Sequence, residues 1–181
     1  MNQIILKKFR KNYLKKSNKL KLAYITGATK GIGRSTAITF AKAGWDLILL
    51  SRDMEMMEKL REELSDTQST INLVKCNLSD VNEIDNSVKE SIKKYGCPSV
   101  LINNAGCAFN GNLVEMPLKK WQEIMQINLT SVFQICSLIV PQMRKNGGLI
   151  INVSSHASYN PFPLWGAYCI SKSALAMFTR C

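Results

Sequence analysis

Residues 22–33 read Leu22-Ala23-Tyr24-Ile25-Thr26-Gly27-Ala28-Thr29-Lys30-Gly31-Ile32-Gly33. A short, mostly apolar run enters a loop with three glycines and then a helical pattern. Glycines in such a loop permit a tight turn and let backbone N–H groups close on an anion at the helix N-terminus. The spacing is G-x3-G-x-G, which meets the common G-x-G-x-x-G dinucleotide fingerprint only loosely. Its place between a strand and a helix is what makes it a phosphate-loop candidate.

Working outward, the same alternation continues. Strands are expected at Leu22–Thr26, Asp46–Ser51, Ile71–Lys75, Val100–Asn103 and 149–153, with helices near 31–43, 54–65, 81–95, 117–145 and from 166 onward. Strand–helix alternation predicts a parallel sheet with helices on both faces. The apolar runs are unbroken, as in strands buried on both sides. The expected fold class is therefore α/β: a Rossmann-like, doubly wound parallel sheet in three α/β/α layers. Residues 22–181 are read as one dinucleotide-binding domain and 1–21 as a basic tail.

The chain has 181 residues, 46% hydrophobic and 20% charged, enough for one domain with a full core. No apolar run approaches bilayer-spanning length and no secretory signal layout opens the chain, so no stable membrane insertion is expected. Six scattered cysteines without a CxxC pair, and a single histidine, argue against a metal site. Reduced thiols point to a cytoplasmic protein. Of the 24 basic residues eight fall within residues 1–22, which hold no acid; the other 16 face 13 acids, so the net charge of +11 resides mainly in the tail. A solvated tail and no nucleic-acid partner is the plain reading. The sharper one is an arm touching membrane surface or nucleic acid, with Ile5, Phe9 and Tyr13 on one helical face.

The second strand ends at Leu50-Ser51-Arg52-Asp53. A domain selecting NAD places a carboxylate near here for the adenosine ribose. Strand register puts Ser51 at that place, with Arg52 adjoining and Lys30 in the glycine loop. Two cations and no acid suit a 2′-phosphate, so NADP(H) is expected over NAD(H). Asp53, two residues past the strand end, is expected to start the next helix.

Towards the end stand Ser154-Ser155-His156 and Tyr168-Cys169-Ile170-Ser171-Lys172. Tyr168 and Lys172 are four apart and share a helix face. A nearby ammonium favours phenolate over phenol, which suits a phenol to acid–base work. His156 adjoins Ser155 and is poorly placed as its base, and no GxSxG elbow exists; hydrolase chemistry is set aside and His156 read as a loop residue near the substrate mouth.

The whole ordered set resembles the short-chain dehydrogenase/reductase family across about residues 22–181. TGxxxGxG stands at Thr26 to Gly33, NNAG at Asn103-Asn104-Ala105-Gly106, the helix asparagine at Asn128, a strand-and-serine motif at Ile151-Asn152-Val153-Ser154-Ser155, and YxxxK at Tyr168 to Lys172. The resemblance implies a catalytic set of Asn128, Ser155, Tyr168 and Lys172. Tyr168 would exchange the substrate proton, Lys172 would assist it and bind the nicotinamide ribose, and Ser155 would hold the carbonyl. Asn128 would bend its helix and hold a water linked to Lys172. The cofactor would lie against Gly27, Thr29, Lys30, Gly31, Ile32, Gly33, Ser51, Arg52, Asn77, Leu78, Asn104, Ala105 and Gly106, besides Tyr168 and Lys172. It implies reversible hydride transfer between NADP(H) and a small carbonyl or alcohol substrate.

Two departures stand out. Asn77 occupies a place where the family often has an adenine-contacting aspartate, and it keeps a side-chain carbonyl acceptor. Family members also continue past the YxxxK helix, whereas this chain stops at Cys181. It is therefore expected to lack the family's last strands and to be a truncated form of doubtful activity, the complete form being a homo-oligomer. The alternative is a non-catalytic dinucleotide-binding or redox-sensing fragment. Phe109, Phe162, Leu164 and Trp165 hint at an apolar substrate pocket.

Overall fold

The computed structural model describes residues 21–181; the tail reading and its Ile5, Phe9 and Tyr13 face lie outside the described residues. Five strands, β1 (Leu22–Thr26), β2 (Asp46–Ser51), β3 (Ile71–Lys75), β4 (Val100–Asn103) and β5 (Leu149–Asn152), form one parallel sheet in the order β3-β2-β1-β4-β5. The helices are α1 (Gly31–Lys42), α2 (Met54–Glu63), α3 (Val81–Tyr95), α4 (Leu118–Met125), α5 (Ser131–Asn146) and α6 (Gly166–Arg180). This is the expected Rossmann-like three-layer fold.

Strand residues alternate between two cores. Tyr24, Ile48, Leu50 and Leu101 point into a core closed by Ile84 and Val88 of α3, Ile135 and Ile139 of α5 and Leu175 of α6. Ala23, Ile25, Leu47, Leu49 and Ile102 point the other way, onto Ala37 and Ala41 of α1 and Met57 and Leu60 of α2. Every residue of β1 and β4 is buried, which explains their unbroken apolar runs. The Tyr24 hydroxyl meets Ser91 Oγ at 3.2 Å, and burial pushes the phenol's pKa upward.

The stretch 117–145 departs from a single regular helix. Between α4 and α5, Gln126–Thr130 forms a π turn, in which bonds reach five residues back. Together Leu118–Asn146 is 29 residues long and apolar enough, by length and composition, to cross a membrane, which the reading of short apolar runs did not anticipate. Here Ile124, Ile127, Val132, Ile135, Ile139 and Met143 are buried in the fold itself. The fifth strand closes at Asn152, one residue earlier than expected, although Val153 N–H still donates to the Asn103 carbonyl at 2.9 Å.

Connections from β1 and β4 leave in opposite directions along the sheet, so a crevice opens at the carboxyl ends of the strands. Parallel sheets bind ligands at such a switch point.

Candidate active site

The glycine loop is held by side chains rather than by the glycines alone. Thr26 Oγ1 accepts from both Asn104 N–H and Ala105 N–H at 3.0 Å. Asn104 Nδ2 donates to the carbonyls of Thr26 and Gly27 at 3.1 and 3.0 Å. A Cβ at Gly33 would fall 2.3 Å from both Asn104 Nδ2 and the Gly27 carbonyl oxygen, and one at Gly27 would fall 2.8 Å from Ala105 Cα. Gly27 also has φ +65°, the left-handed region that favours glycine. Only glycine fits this close approach. Helix α1 that follows has no side-chain N-cap and no acid in its first turn, which suits an anion there.

Above the loop lies a cleft of about 340 Å³. Of the expected cofactor residues, Gly27, Thr29, Lys30, Ser51, Arg52, Asn77, Leu78, Asn104, Ala105 and Gly106 line it. Gly31 and Ile32 instead border a second hollow along the outer side of α1, with Ser35, Thr36, Thr39 and Phe40, and Ile32 is 64% exposed. Gly33 is buried beneath Asn104. Asp53 also lines the cleft, but its carboxylate caps α2, accepting from Met56 N–H at 3.0 Å, as the strand-end reading expects. Asn77 differs from expectation. Its carbonyl Oδ1 accepts from Ser79 N–H and Ser79 Oγ–H at 3.2 and 2.7 Å, so that acceptor is engaged in its own turn.

Cys76 and Cys107 line the cleft as well, and sequence reasoning passed them over as isolated thiols. Burial pushes Cys76 up to about 11 and raises Cys107 too, so both are held as thiols. Asn103, the first residue of the NNAG motif, does not reach the cleft. Its Nδ2 donates to Asn152 Oδ1 at 2.8 Å, and Asn152 Nδ2 donates to Thr179 Oγ1 at 3.0 Å, bracing β4, β5 and α6.

The expected catalytic set gathers on the α6 side. Asn128 lies in the π turn, fully buried. Its Oδ1 accepts from Cys107 N–H at 2.8 Å, while its Nδ2 donates to the Cys107 carbonyl and to Ser171 Oγ, both at 2.9 Å. Ser171 Oγ–H in turn donates to the Tyr168 carbonyl at 2.8 Å. Lys172 is 4% exposed, and its Nζ donates to the Val153 carbonyl at 2.8 Å. Burial pulls this ammonium below the ordinary lysine pKa, with Cys107 opposing weakly. The same Nζ stands 5.8 Å from the Tyr168 ring centroid.

Ser155 begins the short 3₁₀ turn His156–Ser158, and its Oγ accepts from Ala157 N–H at 3.2 Å. The turn is tied to α6 by Ser173 Oγ–H, which donates to the Ser158 carbonyl at 2.9 Å. Ser155 and Tyr168 share the wall of a separate cavity of about 390 Å³, completed by Ala157, Phe162, Pro163 and Trp165. Of the four residues that hinted at an apolar pocket, Phe162 and Trp165 line it and Phe109 and Leu164 do not. His156 is exposed and pairs with Asn160 at 2.8 Å. Among the described residues no group of His, Cys, Asp and Glu could hold a metal.

Comparison with known proteins agrees with this geometry. A family model described as short chain dehydrogenase matches residues 21–181. The chain is 31% identical over 162 residues to an uncharacterized oxidoreductase of Thermotoga maritima, covering 88% of this chain and 63% of that protein. It is 32% identical over 161 residues to a 3-oxoacyl-[acyl-carrier-protein] reductase of the same organism, covering 88% and 65%. Among solved structures, an alcohol dehydrogenase of Thermococcus sibiricus complexed with 5-hydroxy-NADP superposes with TM-score 0.85 at 26% identity, covering 90% of this chain and 69% of that one. A metagenomic short-chain oxidoreductase in complex with NADP gives TM-score 0.84 at 29% identity, covering 88% and 73%. The chain thus spans a little under two thirds of the length of these two curated relatives.

Proposed function

We propose that this chain, which belongs to the short-chain dehydrogenase family, interconverts a carbonyl and an alcohol with NADP(H) in preference to NAD(H). One observation carries the reading: Ser155 and Tyr168 line a single cavity, with the buried Lys172 ammonium 5.8 Å from the Tyr168 ring.

The residues of the cleft fit an anionic dinucleotide. The crowding that excludes a Cβ at Gly27 and Gly33 holds the loop close, beside the uncapped start of α1. Lys30 and Arg52 line this cleft and would meet the adenosine part of the cofactor, and the carboxylate of Asp53 is engaged in capping α2. Two cations over a serine favour a 2′-phosphate. The solved relatives in complex with NADP support the same cofactor class.

When bound, the nicotinamide supplies or accepts the hydride. The protein's own residues handle the oxygen. In the reductive direction the Tyr168 hydroxyl gives its proton to the carbonyl oxygen, and it takes that proton back in oxidation. Ser155 Oγ accepts from Ala157 N–H, which leaves its own proton to donate to the same oxygen and stabilise developing negative charge. Lys172 has three donors, of which one is committed to Val153; the others would hold the nicotinamide ribose hydroxyls.

The test is NADPH oxidation against a panel of carbonyl compounds, with Tyr168→Phe as the control. The variant is expected to lose about 10²–10⁴-fold in turnover, the usual worth of a general acid, while binding NADPH normally. Cofactor binding with no turnover in either protein would replace this reading by that of a sensor module.

A further inference from the structure

The cavity that Ser155 and Tyr168 share narrows the substrate, provided the carbonyl–alcohol reading holds. Besides the indole N–H of Trp165, its lining side chains offer two polar groups, the hydroxyls of Ser155 and Tyr168. Both are needed for a single carbonyl oxygen. The remaining wall is Ala157, Phe162, Pro163 and Trp165, with no charged side chain among them. Beyond those two hydroxyls no lining side chain accepts a hydrogen bond or carries a charge, so further hydroxyls or an anionic group on the substrate would find no ion-pair or acceptor partner on this wall.

The aromatic wall has a defined geometry. Trp165 meets Tyr168 edge-on, ring centroids 5.7 Å apart and planes at 76°. Phe162 is 44% and Trp165 38% exposed, so neither ring is buried in the core, and the Phe162 ring lies 5.9 Å from the His156 ring, centroid to centroid. The segment that carries them is braced from outside. Gly111 N–H donates to the Leu164 carbonyl at 2.8 Å, Trp165 N–H donates to the Phe162 carbonyl at 3.1 Å, and Gly166 packs so closely on Leu113 that a Cβ there would come within 3.0 Å. The volume, about 390 Å³, lies in the small-molecule range of about 300–1,000 Å³.

We infer that the substrate is a neutral ketone or aldehyde whose carbonyl is borne on a flat, apolar ring system, which lies against the wall that Phe162 and Trp165 form, with its oxygen on Ser155 and Tyr168. Polyhydroxylated ketones and anionic acyl substrates do not match this wall.

Two measurements on the purified chain test this. The first is direct binding of 2-acetylnaphthalene, read as quenching of tryptophan fluorescence, with Trp165→Phe identifying the responding residue. Saturable quenching that Trp165→Phe abolishes is expected. The second is kcat/KM with NADPH for that ketone, for butanone and for a ketose. The aromatic ketone is expected to lead the ketose by at least about tenfold, a difference of about 1.4 kcal/mol. Trp165→Ala is expected to lower the aromatic-to-aliphatic ratio about as much. Saturable Trp165-dependent binding without turnover would keep the cavity as a site for flat apolar ketones but sink the oxidoreductase reading, and with it their standing as substrates. Turnover of butanone or the ketose without such binding, or a ratio unmoved by Trp165→Ala, would overturn the inference and leave that reading intact. Absence of both binding and turnover overturns both.

Discussion

Asn128 grips the Cys107 peptide from both sides: its Oδ1 accepts the Cys107 N–H at 2.8 Å and its Nδ2 donates to the Cys107 carbonyl at 2.9 Å. A side-chain amide here replaces a neighbouring strand, satisfying one residue of the loop after β4 as a sheet ladder would. The same Nδ2 reaches Ser171, so one buried residue links the loop that borders the cofactor cleft to the helix that carries Tyr168 and Lys172.

Asn128→Ala is therefore expected to leave the Cys107 peptide groups without partners. Each unsatisfied buried group costs about 1–3 kcal/mol, so a loss of roughly 2–4 kcal/mol in urea unfolding is expected. A loss below about half a kcal/mol, the range of ordinary surface substitutions, would show that Asn128 is not the clamp described.

Lys172 gives a pH-dependent signature. Burial depresses its folded-state pKa, so its contribution to stability is at its best above the unfolded lysine value of 10.5 and is lost as pH falls through the lower folded value. Relative to Lys172→Met, the parent is expected to gain stability as pH rises towards 10.5. Denaturant midpoints of both proteins across the alkaline range check this. A constant difference would mean that the ammonium is not desolvated.

Gly33 and Gly31 separate close packing from backbone strain. Gly33→Ala places a methyl 2.3 Å from Asn104 Nδ2 and the Gly27 carbonyl, and the loop must open to admit it. Overpacking of this kind costs about 1–3 kcal/mol, and NADPH affinity is expected to fall at least about tenfold. Gly31→Ala meets nothing within 4 Å and suffers only from its φ of +51°, costing about 1–2 kcal/mol. Fluorescence titration with NADPH and urea unfolding distinguish the two. Equal losses in affinity would refute the packing argument.

Arg52→Ala is expected to weaken NADPH about tenfold, in line with loss of a charge-assisted phosphate contact, and to leave NADH almost unchanged. Ser51→Asp should reverse the preference outright, since a carboxylate repels a 2′-phosphate and accepts from ribose hydroxyls. Titration of each variant with both cofactors is the check. Equal weakening of both cofactors in Arg52→Ala would remove Arg52 from the specificity argument.

The strands were legible in the sequence because Leu22–Thr26 and Val100–Asn103 are buried on both faces, and such runs admit no polar residue until their ends. The phosphate loop and the Tyr168–Lys172 pair were legible because their chemistry depends on local spacing. What remained hidden is made by contacts distant in sequence. Thr26 Oγ1 bridges 78 and 79 residues to reach Asn104 and Ala105, and nothing near Thr26 signals that duty. The partner of Lys172 is a main-chain carbonyl, which no side-chain pattern marks. Asn77 lines the cleft as expected, but nothing near it in the sequence marked that Ser79, two residues away, engages its acceptor. The π turn was legible only as an asparagine that the family resemblance says bends its helix; apolar spacing across 117–145 reads as one continuous helix.

That turn sets the rotational phase of everything after it. Each helical residue advances the azimuth by about 100°, so shortening Gln126–Thr130 by one residue would restore uniform bonding while swinging Ile135, Ile139 and Met143 a quarter-turn or more off the sheet. A locally tidier helix would thus come at the expense of the core behind β4. The irregularity acts as a gear between two segments that must mesh with the same sheet.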